Sequence, residues 1–87
     1  MKTIWKYALK ISDERQEFTP PVNAVILFVA AQGAELCMWV EVPTDRRAAV
    51  KRTFKVHGTG HPIHPADVWR GSVVMPPFVW HVYEVML

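Results

Sequence analysis

Eighty-seven residues are expected to form one domain, spanning residues 1–87. Hydrophobic residues make up 51%, with four Trp and four Phe, which is enough for a core and leaves apolar surface over. In so short a chain that surplus points to a homo-oligomer. A net charge of +2, with Arg46-Arg47 and Lys51-Arg52 as the only basic pairs, argues against nucleic acid as a partner, because such binders carry a denser basic face.

Residues 3 to 11 alternate. Trp5, Tyr7, Leu9 and Ile11 point one way, and Lys6, Ala8 and Lys10 the other, which predicts a half-buried strand. Ser12-Asp13-Glu14 reads as a turn. Gln16 to Thr19 reads as a short strand stopped by Pro20-Pro21, since proline cannot donate to a ladder. Val25 to Val29 is a continuous apolar run, the pattern of a central strand. After a hairpin turn at Gln32-Gly33-Ala34, Leu36, Met38, Val40 and Val42 form one face of the next strand, and Cys37, Trp39 and Glu41 form the other.

Thr44 to Ala49 is the one segment where a helical turn fits, with Thr44 as its cap; a loop fits equally well. Lys51 to His57 alternates again. A polar, glycine- and proline-marked loop is expected from Gly58 to about Trp69. A short strand Ser72–Met75 follows, Pro76-Pro77 breaks it, and Phe78 to Val85 is the last strand. Five to seven antiparallel strands with short links predict an all-β fold, a small β-sandwich or open barrel.

The loop Gly58-Thr59-Gly60-His61-Pro62-Ile63-His64-Pro65 is the candidate site. Its glycines allow positive φ, so successive N–H groups can converge on an anion. Lys55, His57, His61 and Arg70 are close in sequence and add positive charge. Trp69 offers a flat surface for a base. The loop is neither a P-loop nor a dinucleotide fingerprint, and it reads equally as a plain turn. His57, His61 and His64 lack the cysteine or carboxylate company of a metal site, so no metal is expected. Cys37 lies in mid-strand without a nucleophile signature, and Glu41 with Glu84 is a weak candidate for paired carboxylates. Lys55 and Arg70 read as exposed charges whose removal leaves the fold intact.

Four segments carry a resemblance: Met1-Lys2-Thr3-Ile4-Trp5-Lys6-Tyr7, Leu36-Cys37-Met38-Trp39, Gly58-Thr59-Gly60-His61-Pro62-Ile63 and Phe78-Val79-Trp80-His81-Val82-Tyr83-Glu84. They resemble a family of small proteins encoded by tailed bacteriophages. The resemblance carries no catalytic residues. It implies a phage origin and expression in the host bacterial cytoplasm. The sequence agrees with that location: no uninterrupted apolar stretch opens the chain, and the longest apolar run, Ala24 to Ala31, is too short to span a membrane.

The expected function is that of a non-enzymatic phage accessory protein without a cofactor. It would sequester an anionic small molecule, such as a nucleotide immune signal, in an anti-defence role. Lys55, His57, Gly58, Thr59, Gly60, His61, Trp69 and Arg70 would hold the ligand. The alternatives are a protein inhibitor of a host factor and a small hydrolase.

Overall fold

The computed structural model describes residues 1–45 and 47–87. Seven antiparallel strands form two sheets in an open sandwich. They are β1 (Lys2–Leu9), β2 (Gln16–Phe18), β3 (Val25–Gln32), β4 (Glu35–Pro43), β5 (Arg52–Gly58), β6 (Val68–Met75) and β7 (Phe78–Val85). One sheet has the order β1-β4-β3 and the other β2-β5-β7-β6.

The core lies between them. Leu36, Met38, Val40 and Val42 of β4 face Phe54 and Val56 of β5 and Val82 of β7, and all seven are buried. The alternation in β4, β5 and β7 therefore marks their inner faces as the sequence predicts. Cys37 is fully buried too, flanked by Ala8 and Ala30.

Two expectations need correction, and one alternative left open is decided among the described residues. β3 is not a central strand but stands at the end of its sheet. Its apolar run has a local cause: the register shifts between Ile26 and Phe28, and Phe28 stacks on Trp39 on the outer face with ring centroids 4.9 Å apart. The chain takes no helical turn between Thr44 and Ala49 in the described residues, with Arg46 outside them; Ala49 instead bridges Pro21. Finally, β6 begins at Val68, so Trp69 belongs to a strand rather than to the end of the loop, and Arg70 follows it in that strand.

A buried carboxylate ties the second sheet together. Glu84 in β7 accepts from Arg52 Nε and Nη2 at 2.7 and 2.8 Å, and from Arg70 Nε and Nη2 at 3.0 and 2.7 Å. Arg52 also donates to the Ala24 carbonyl at 2.7 Å, joining this group to the segment before β3. Arg70 reaches Glu84 because β6 bulges between Trp69 and Gly71. Gly71 then meets β3: a Cβ there would lie 2.9 Å from Val29 Cβ. The sheets approach so closely at this point that only glycine fits.

Two outcomes follow. Gly71→Ala should lower stability by about 1–3 kcal/mol through overpacking, seen as a lower denaturation midpoint with an unchanged slope. Glu84 titrates below its ordinary 4.5; burial alone would raise it, but the hydrogen bonds from Arg52 and Arg70 outweigh that. The unfolded chain thus takes up this proton first as pH falls. The Glu84 contribution should be complete above pH 4.5 and disappear below it. Glu84→Gln should remove that acid step and cost about 3 kcal/mol at neutral pH, measured by denaturant titration.

Candidate functional site at the glycine turn

Gly58 ends β5 and starts a four-residue turn. The His61 N–H donates back to the Gly58 carbonyl at 3.2 Å, and Gly60, third in the turn, has φ +91°. That angle is the reason for a glycine here. The Gly58 N–H donates to His61 Nδ1 at 3.1 Å, so the imidazole folds back on the turn it ends. Two of the N–H groups expected to face an anion, those of Gly58 and His61, are thereby engaged within the turn.

β5 and β6 both run antiparallel to β7, so they are parallel to each other, and their link must cross a face of the sheet. His57 shows that the link crosses the outer face. It lies on the outer face of β5, is only 5% exposed, and has no partner for Nε2. Its ring meets Tyr83 edge-on with centroids 5.7 Å apart. Burial holds the His57 imidazole below its usual range, assisted by Lys55 and His61, with Asp67 opposing.

Across the outer face two rows of residues span the strands. Lys55, Tyr83 and Trp69 form one row, and His57, His81 and Ser72 the other. A hydrogen-bonded chain runs along their rim. Trp69 Nε1 donates to Ser72 Oγ at 3.0 Å; Ser72 Oγ lies 2.7 Å from His81 Nδ1; His81 Nε2 lies 3.0 Å from Thr59 Oγ1. With neutral His81, one hydroxyl proton, on Ser72 or on Thr59, remains available to donate outward. With protonated His81 both are available, together with a positive charge.

The structure thus joins two expected site residues, Thr59 and Trp69, through two that sequence reasoning did not include, Ser72 and His81. Trp69 is 57% exposed, with its ring edge fixed by Ser72. Gly60 is exposed at the tip of the turn. Arg70 faces inward to Glu84 and is not beside Trp69's outer surface. Glu41 and Glu84 belong to different sheets, and Glu41 pairs with Lys2. Among the described residues, no cluster of three or more His, Cys, Asp or Glu side chains has the arrangement of a metal site.

Ser72 and His81 have the separation of a nucleophile and its base. Behind this imidazole stands a hydroxyl, however, and a hydroxyl does not offset an imidazolium charge as a carboxylate does.

The inner side of the same turn borders the open mouth of the sandwich. A cavity of 360 Å³ there is lined by Gly58, Thr59, His61, Phe78 and Trp80. A more apolar one of 560 Å³ continues past Trp80 to Ile11, Ala34 and Met75.

The comparison with known families is decided by a match over residues 1–86 to a domain of unknown function, DUF7352. The chain belongs to the DUF7352 family. No match was found among curated proteins or solved structures. No helix among the described residues is long and apolar enough to cross a membrane.

The depressed His57 gives a test of how this DUF7352 site is built. As pH drops below 6.5, the usual histidine value, the unfolded chain protonates before the folded one, so stability should fall. His57→Phe should flatten that part of the pH profile while leaving the Glu84 step in place, as melting temperatures in a pH series would show.

Proposed function

We propose that this protein is a non-enzymatic binding protein of phage origin, acting in the bacterial cytoplasm as an anti-defence factor that sequesters an anionic ligand carrying a planar ring. A nucleotide signal fits that description. The observation that carries the reading is the chain Trp69–Ser72–His81–Thr59, which holds a flat exposed ring and a glycine turn in fixed relation on one sheet face. The ring of the ligand stacks on Trp69. Its anionic group meets the spare hydroxyl proton of the chain, with Lys55 supplying charge one row away.

A second reading, inhibition of a host protein, is favoured by the mouth of the sandwich. Val74 and Phe78 are exposed there beside the apolar cavity, a surface suited to an apolar protein segment.

The test is a calorimetric titration of cyclic and linear nucleotides. Trp69→Ala should weaken binding by about 1–3 kcal/mol, the loss of one stacked base. Thr59→Val and Lys55→Ala should weaken it with little change in melting temperature. Arg70→Ala behaves differently from an exposed charge: it should lower the melting temperature, because it removes a partner of buried Glu84, and should leave the ligand contacts in place. Ligand at a hundred times its Kd should stabilise the protein by about 2.7 kcal/mol. If no nucleotide stabilises the protein and a host protein is retained through the Val74–Phe78 surface, the second reading takes over. Released product in the same mixture would identify a hydrolase.

A further inference from the structure

The first sheet leaves one long edge of backbone open. β1 pairs with β4 on one side, and among the described residues no strand pairs with its other side over eight residues. An open edge recruits another strand, and proteins usually guard it with lysines that project past it. β1 has Lys2 and Lys6, but both fold back over their own sheet. Lys2 Nζ lies 3.1 Å from Glu41 in β4, and Lys6 Nζ donates to Gln32 in β3 at 2.7 Å. Their charges therefore lie over β4 and β3 and leave the edge itself accessible. Ile4 is 56% exposed on one face of β1 and Trp5 is 45% exposed on the other, so a strand laid alongside would cover both.

We propose that this edge is a dimer interface, occupied by β1 of a second copy running antiparallel about a two-fold axis at Trp5. The two three-stranded sheets then become one continuous sheet. Strand overlap and charge together select the register: axes at Thr3 or Tyr7 avoid like charges but pair only residues 2–4 or 5–9 of the strand, whereas an axis at Trp5 pairs 2–8. An axis at Ile4 would set Lys2 opposite Lys6, and an axis at Lys6 would set that lysine against itself. Like charges directly opposite oppose pairing. An axis at Trp5 sets Trp5 against Trp5, Ile4 against Lys6, Lys2 against Ala8 and Thr3 against Tyr7. No like charges face each other, and an aromatic pair sits at the centre. A two-fold contact needs a patch that complements itself, and this strand does so in that register. The proposal is independent of the ligand reading, since β1 lies in the other sheet from Trp69, Ser72, His81 and Thr59.

Light scattering on the purified chain at micromolar concentration should give twice the 10.0 kDa of the monomer. The melting temperature should rise with protein concentration. Trp5→Glu, which opposes two carboxylates at the axis, should return the mass to that of a monomer. Cross-linking checks the register separately. Trp5→Cys should form an intermolecular disulfide on mild oxidation, because the residue faces itself across the axis. Thr3→Cys should not, because it faces Tyr7, and native Cys37 is buried away from either contact. A monomeric wild type would overturn the proposal, as it would if the occupant were a strand of another protein. So would a dimer in which Thr3→Cys cross-links as readily as Trp5→Cys. If Trp5→Glu does not fold, the cross-linking pair still decides.

Discussion

The organisation of the second sheet depends on satisfying one buried carboxylate. An isolated carboxylate is costly to remove from water, and Glu84 is kept charged by two guanidinium groups from the strands on either side. Arg52 comes from β5 in normal alternation. Arg70 comes from β6 and faces inward next to Gly71, which also faces inward, so β6 needs an extra residue at that point. The bulge that supplies it changes the phase of the strand. Trp69 and Ser72, three residues apart, then share the outer face, where Trp69 Nε1 reaches Ser72 Oγ. The interior ion group and the exposed chain of the candidate site thus share a single backbone irregularity.

That irregularity also explains which parts were legible in the sequence. Where strands keep strict alternation, as in β4 and β7, the two faces are evident from the residues alone. Where a strand bulges, alternation misleads. Val25 to Val29 is apolar throughout because the bulge after Ile26 and the stacking of Phe28 on Trp39 place apolar residues on both faces. It therefore reads as central when it is not. In β6 the same effect hides the approach of Ser72 to Trp69. His81 posed a different problem. Its place on the outer face of β7 follows from alternation, and the two-residue Pro76-Pro77 link implies that β6 lies beside β7, but the pairing of β7 with β5 on the other side has no sequence signature.

The glycine turn was legible as a turn, and the positive φ of Gly60 agrees with that. The direction of its donors was not. A histidine at the last position of the turn has the reach to fold back, and His61 takes the Gly58 N–H that an anion would otherwise have met. The outward donor shifts from the backbone to the hydroxyl chain of Ser72 and Thr59. The proposed recognition chemistry thus passes from glycine geometry, which sequence shows well, to a side-chain network, which it shows poorly.

A sandwich this small has only one interior, and packing uses both inner faces of it. Recognition must therefore use outer faces, open edges or the mouth between the sheets. The two outer faces are chemically unlike. That of the first sheet carries Ile4, Phe28 and Trp39, with its lysines bound down, beside an open strand edge. That of the second carries His81, Ser72, Thr59 and Lys55 around a single exposed ring. An apolar face with an open backbone edge suits another strand, and a polar face with a fixed ring suits a small charged ligand. Placing them on opposite sides of one core allows the chain to associate through the first without covering the second.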